Sequence, residues 1–183
     1  DTGGLWLSTN RGLSRFGPDT ETFKNYDERD GLQSNEFAQG SCYKSSEGKL
    51  FFGGINGFNS FYPKEIKENR TVPPVVLTDF RIFNEKVPIT EGPPLTESIS
   101  TVEEIILSWE DRIFSFEFAA LGFIMPEKNV FAYKMEGFDK DWLFSGERNF
   151  ATYTNLDPGQ YVFRVKAANN DAFWNEEGHS IRL

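Results

Sequence analysis

Along several stretches of the chain, apolar and polar residues alternate with a period of two. In "RIFSFEFAAL", Phe114, Phe116 and Phe118 fall on one side while Ser115 and Glu117 fall on the other. Successive side chains of a strand point to opposite faces, so this is the pattern of a half-buried strand. "VFAYKMEG" repeats it with Phe131, Tyr133 and Met135, and "YVFRVKAAN" repeats it with Tyr161, Phe163, Val165 and Ala167 against Arg164 and Lys166. Three such strands predict one core-facing sheet. Upstream, "LWLST" and "LFFGG" read as short strands, each followed by a turn and a returning strand, "GLSRF" or "GFNSF". One segment breaks the period: Val102, Ile105, Ile106 and Trp109 lie at helical spacing behind Thr101-x-x-Glu104, the form of a capping box. We nevertheless read "EIILS" as a strand, because a turn at Trp109 to Asp111 would pair it with "RIFSFEF".

The two upstream hairpins are copies of one another. A shift of 45 positions lays "GGLWLSTNRGLSRF" (3–16) over "GKLFFGGINGFNSF" (48–61), matching Gly3, Leu5, Gly12 and Phe16 with Gly48, Leu50, Gly57 and Phe61. A repeat of that length, made of aromatic-rich strands and glycine turns, suits a propeller blade better than a helical solenoid. Asn56-Gly57 predicts a type I′ turn, in which both central residues sit at positive φ. The glycines Gly53, Gly54 and Gly57 do not form a phosphate loop, since a strand follows them instead of a helix N-terminus and no Lys-Ser/Thr is present.

Composition narrows the function. The formal net charge of −9 disfavours a nonspecific grip on nucleic acid or anionic lipid. No window reaches the roughly 18 apolar residues of a membrane helix. The chain opens on Asp1 and closes on "HSIRL", which reads as a strand cut short, so we expect a piece of a longer protein. The single Cys42 excludes an intrachain disulfide and reads as a small buried hydrophobe.

"GLWLSTNRGLSRF", "TETFKNYDERDGLQSNEF" and "GSCYKSSEGKLFFGGINGFNSFYP" resemble the two-component regulator propeller repeats found in the extracytoplasmic halves of hybrid sensor histidine kinases. The last of them looks like the terminal blade before exit to another domain. The resemblance spans residues 3 to about 66 and implies roughly one and a half blades, where a closed propeller takes about four or more. Charged residues and Pro73-Pro74 then mark a linker over 67–75, which contains the glycosylation-like triplet Asn69-Arg70-Thr71.

From residue 76 onward "NLDPGQYVFRV" carries Leu156, Pro158-Gly159 and Tyr161 in an arrangement that resembles the tyrosine corner of immunoglobulin-like and fibronectin-type sandwiches. With "FAYKMEGFDKDWLF" and "RNFATYTNL", the region 76–183 resembles the Y_Y_Y domain, an immunoglobulin-like module that follows regulator propellers. By position Tyr133, Tyr153 and Tyr161 are its tyrosines, with Gly137, Asp139 and Trp142 in "GFDKDW". Their expected role is structural, as is that of Pro158, Gly159 and Gly57.

Candidate chemistry is sparse. Asp139 and Asp141, and the trio Asp27, Glu28 and Asp30, lack the oxygen spacing of a calcium loop and read as solvated turns. The pairs Glu103-Glu104, Glu110-Asp111 and Glu176-Glu177 are adjacent, which on a strand sends their carboxylates to opposite faces. His179 is the one histidine, too little for a zinc site or a Ser-His-Asp triad. Trp109, Trp142 and Trp174 read as partly buried at sheet edges, with stacking on sugar rings as the other use of an exposed indole.

The chain is therefore expected to be all-β and non-catalytic, with no catalytic, metal or cofactor residues. A partial propeller over 1–66 would be joined to an immunoglobulin-like sandwich over 76–183. The resemblance implies the periplasmic sensor region of a hybrid two-component system. It implies oligosaccharide ligands on the complete propellers, a homodimer through the immunoglobulin-like domain, no nucleic-acid partner, and membrane attachment only through a downstream helix. The alternatives are a carbohydrate-binding or spacer module of a secreted protein and a surface adhesin.

Overall fold

The computed structural model describes residues 4–183, so Gly3 of the repeat lies outside the described residues. Regular structure is all β apart from three single-turn 3-10 segments, and the chain divides into two compact units after Glu68.

In the first unit, β1 (Leu5–Thr9), β2 (Gly12–Gly17) and β3 (Thr22–Tyr26) form one antiparallel sheet, and β4 (Phe37–Lys44), β5 (Leu50–Gly54) and β6 (Gly57–Phe61) form another. The repeat holds in register: Leu5 opposes Phe16 and Thr9 opposes Gly12, as Leu50 opposes Phe61 and Gly54 opposes Gly57. The turn chemistry differs from expectation. Ile55 and Asn56 are the two loop residues, and only Gly57, at φ +117°, has positive φ, with Gly12 at +102° in the other copy. This is a turn closed by a left-handed glycine at the strand start, not a type I′ turn on Asn56-Gly57. A Cβ on Gly12 would run into the Tyr26 carbonyl, so the earlier copy keeps its glycine for close approach as well as for φ.

The "DGLQSN" segment ties the two sheets together. Glu28 and Asn35 bond reciprocally through backbone N–H and side-chain oxygen at 3.0 Å, and Asn59 of β6 accepts from the Gln33 amide at 2.8 Å. Asp27 caps the turn at Glu28–Asp30, and its own amide donates to the Asp30 carboxylate, so these carboxylates serve the backbone and are not free solvated groups. Trp6 packs on Tyr26 and on Phe61, with Leu13 and Phe52 buried beside them. Cys42 is exposed, which overturns its reading as a buried hydrophobe: β4 presents all of residues 38–44 to solvent, including Cys42 to Lys44 where it pairs with β5.

The second unit contains two four-stranded sheets. One has the order β12 (Phe150–Thr154), β9 (Ile113–Ala120), β7 (Val75–Ile82), β8 (Glu85–Lys86). The other has the order β11 (Leu143–Gly146), β10 (Val130–Glu136), β13 (Val162–Ala168), β14 (Trp174–Arg182). The period-two faces meet as the sequence pattern requires: Phe114, Phe116 and Phe118 of β9 bury against Phe131, Tyr133, Met135 and Phe163, and Phe116 stacks on Phe163 at 4.3 Å between centroids.

"EIILS" is neither the expected strand nor the helix its spacing suggests. It is an extended strap whose Val102 and Ile105 enter the core while Ile106 and Trp109 stay exposed, so the helical stripe is never buried as a unit. Its single bridge is parallel, Glu104 with Arg182 of β14, and β9 pairs with β7 and β12 instead. The turn at Trp109 to Asp111 does form, closed by the Asp111 amide on the Ser108 carbonyl at 3.0 Å.

Strand directions give the second unit two poles. At the inlet pole, where β7 begins, the segment 69–74 is bound to the β13–β14 loop. The buried Asn169 side chain donates to the Asn69 and Thr71 carbonyls and accepts from the Asp171 and Phe173 amides, and Asn175 donates to the Pro73 carbonyl. This part of the proline-rich stretch is therefore bolted down. The Asn69 amide group is likewise engaged, donating to Asn170 and accepting from Thr71. At the outlet pole lie Leu183, the β7–β8 turn, the β10–β11 turn and the start of β9.

Candidate functional site

The outlet pole gathers the motif tyrosines. Tyr161 lies just before β13, where Pro158-Gly159 turns the chain, and its hydroxyl donates to the Asp157 carbonyl at 2.8 Å. Its ring fits between two glycines: a Cβ on Gly137, at φ +93°, would come within 3.1 Å of it, and one on Gly159 within 3.4 Å. Its backbone exchanges two hydrogen bonds with Leu183, at 3.0 and 2.9 Å. The tyrosine corner thus grips the last residue of the chain.

Tyr153 of β12 reaches across to the β10–β11 turn. Its hydroxyl donates to Asp139 Oδ2 at 2.7 Å, and the same oxygen accepts from the Met135 amide at 2.7 Å. Asp139 is therefore an acceptor joining both sheets and not a solvated turn residue. Burial, reinforced by the Asp139 carboxylate, pushes the Tyr153 phenol well above the usual tyrosine range, so it remains a donor at all working pH. Tyr133 of β10 accepts from Arg148 Nη2 at 3.2 Å, and its ring meets Tyr153 edge-on. The structure thus clusters Tyr133 and Tyr153, and places Tyr161 around the same turn through Gly137.

Trp142 lies elsewhere, on the outer face of the second sheet. The Lys166 ammonium sits 4.6 Å from the Trp142 ring and 5.3 Å from the Trp174 ring, and pairs with Glu176 at 2.7 Å. The cation occupies faces that a sugar ring would need, so these indoles act as a staple. Trp109 is largely exposed at its turn, against its expected place at a sheet edge, with the Arg112 guanidinium 5.5 Å from the ring. Gly57 belongs to the first unit and has no part in this pole.

The final residues of β14 are held on both sides. Beyond the β13 ladder, the Ile105 amide donates to the Arg182 carbonyl at 2.9 Å and the Arg182 amide to the Glu103 carbonyl at 3.1 Å. In the cleft between strap and strand, His179 has a buried Nε2 with no hydrogen-bond partner, and burial lowers its pKa. The strap was misread as a strand, and Arg148, the first residue of "RNFATYTNL", was not singled out by sequence reasoning. Asp139 was seen but undervalued, although its fixed place in "GFDKDW" was a usable signal. Among the described residues no cluster of three or more His, Cys, Asp or Glu is placed to hold a metal, and no helix is long and apolar enough to cross a membrane.

Comparison with known proteins places this geometry. Residues 122–183 match the family model of the Y_Y_Y domain. The chain is 40% identical over 174 residues to histidine kinase P4 of Formosa agariphila, a match that covers 94% of this chain and 13% of that protein. Its fold is similar to the extracellular domain of a hybrid two-component system from B. thetaiotaomicron, with a TM-score of 0.79 and 30% identity over 98% of this chain and 24% of the other. A second such extracellular domain from B. thetaiotaomicron matches with a TM-score of 0.55 and 25% identity, over 98% of this chain and 23% of that one. The chain spans only a small fraction of each relative. It resembles extracellular domains of two-component systems.

Proposed function

We propose that this chain is the coupling end of the periplasmic sensor region of a hybrid two-component system, working on from the Y_Y_Y match and from relatives that are a histidine kinase and extracellular domains of two-component systems. In this reading the first unit is the end of a propeller, about one and a half blades, and the second is an immunoglobulin-like sandwich. Oligosaccharide bound on the complete propellers favours one arrangement of paired Y_Y_Y domains, and the shift passes through a downstream membrane helix to the kinase. Nucleic acid has no role, and this chain performs no catalysis of its own.

The observation that carries the reading is the grip on the outgoing strand. Tyr161 pairs with Leu183 on one side, the strap holds Arg182 on the other, and the Asp139 turn braces Tyr161 and Tyr153 at once. A displacement of the sheets against each other therefore reaches the last residue without an intervening loose segment.

The test uses the full-length parent. Asp139→Asn combined with Tyr153→Phe should leave ligand affinity unchanged while reducing the ligand-dependent change in autophosphorylation. An unchanged kinase response would refute the coupling role. The parent gene offers a second check: a stop codon or a hydrolase domain soon after Leu183, in place of a run of about 20 apolar residues, would end the sensor reading. A glycan screen on this chain separates it from a carbohydrate-binding module, which predicts affinity here where the coupler predicts none.

A further inference from the structure

Exposed apolar side chains crowd the outlet pole on three separate turns. Phe83 is 53% exposed on the β7–β8 turn, Trp109 is 73% exposed on the turn before β9, and Phe138 is 53% exposed on the β10–β11 turn. Ile106, also exposed, lies on the strap beside them. Phe83 is held outward by a backbone that an aromatic residue rarely adopts. It and Asn84 form a two-residue turn with φ +51° and +64°, where glycine would sit without strain. The Phe83 amide is fixed to the Ile113 carbonyl at 2.9 Å, and Phe138 rests edge-on against the buried Tyr153. These tips are presented by rigid elements, around the point where Leu183 leaves the fold.

We infer that the outlet pole is a lipid-facing surface, with Trp109, Phe83 and Phe138 seated at the headgroup level of the bilayer. The inference rests on the proposed downstream membrane helix, which would bring this pole, and not the inlet pole, against the membrane. Tryptophan on a protruding turn suits the interface, where its amphipathic ring meets both acyl chain and water, and the apolar phenylalanine rings insert beside it. The Arg112 guanidinium over the Trp109 ring lies within reach of lipid phosphates while the indole face enters. A bilayer also explains the layout. A protein partner needs one contiguous packed patch, whereas a lipid surface accepts separate protruding rings without shape complementarity.

The experiment tethers the chain by a histidine tag placed after Leu183 to vesicles of brominated phosphatidylcholine doped with nickel-chelating lipid, and reads quenching of tryptophan emission. Zwitterionic lipid is chosen because the chain carries a net charge of −9. Quenching is expected, and it should disappear in Trp109→Phe. It should also fall at least several-fold in a Phe83→Ser, Phe138→Ser double variant that keeps Trp109, and remain unchanged in Phe123→Ser, whose ring is 97% exposed at the inlet pole. Quenching that survives Trp109→Phe, or none at all, overturns the inference. So does Trp109-dependent self-association in sedimentation without quenching, which would make a second copy the occupant. The tethered test does not depend on the parent: if the gene lacks a membrane helix after Leu183, the coupling proposal fails while the quenching result stands.

Discussion

Removing one oxygen tests how the two sheets are joined at the outlet pole. Tyr153→Phe keeps the ring that packs on Tyr133 and Phe163 and deletes only the hydroxyl that donates to Asp139 at 2.7 Å. A hydrogen bond to a carboxylate contributes about 1.5–3 kcal/mol net. Asp139 is half-buried and keeps the Met135 amide, and water can reach the vacated lone pair, so the loss belongs near the low end, about 1.5 kcal/mol. With a urea m-value of about 1–3 kcal/mol/M, the unfolding midpoint should fall by roughly 1 M. The bond-specific part emerges from a cycle with Asp139→Ala, in which the double variant should be less destabilised than the sum by about 1 kcal/mol. Additivity, or a midpoint shift within error for Tyr153→Phe, would show that Asp139 does not bind the sheets together. Tyr161→Phe is the internal comparison: its bond to a neutral carbonyl in a more exposed place should contribute about 1 kcal/mol or less.

Other predictions concern the remaining anchors. Asn169→Ala leaves two amides and two carbonyls at the inlet pole without their partner, and should cost about 3 kcal/mol and speed hydrogen exchange at the Asp171 and Phe173 amides. Gly178→Ala forces a side chain to φ +62° and into the Val165 carbonyl, so it should destabilise by at least about 2 kcal/mol in the same urea assay. Because burial holds the His179 pKa below its ordinary value, the native state binds fewer protons than the unfolded chain. Stability should therefore decline as pH drops below about 6.5, and His179→Gln should flatten that part of the curve.

What the sequence disclosed was what repeats or alternates. The strands carrying Phe114, Phe131 and Phe163 were legible because burial on one face imposes a period of two, and the twin hairpins because register and turn length recur together. The corner at Tyr161 was legible because Pro158-Gly159 fixes the turn that its hydroxyl closes. The strap at 101–107 was misread, since its apolar residues serve a gap between sheet edges, and no period describes a segment that buries Val102 and Ile105 but leaves Ile106 out. Asn56-Gly57 misled because the dipeptide fits two kinds of turn, and the register of Gly54 with Gly57 decides between them. Cys42 was misassigned because small apolar residues are buried on average, whereas β4 here turns both faces outward.

The double hold on β14 has a mechanical meaning. A pull on Leu183 along the strand axis does not open hydrogen bonds one at a time from an end. It strains the bonds to β13 and to the strap together, in shear. With Asn169 fastening the opposite pole, stretching the second unit loads hydrogen bonds at both of its ends at once.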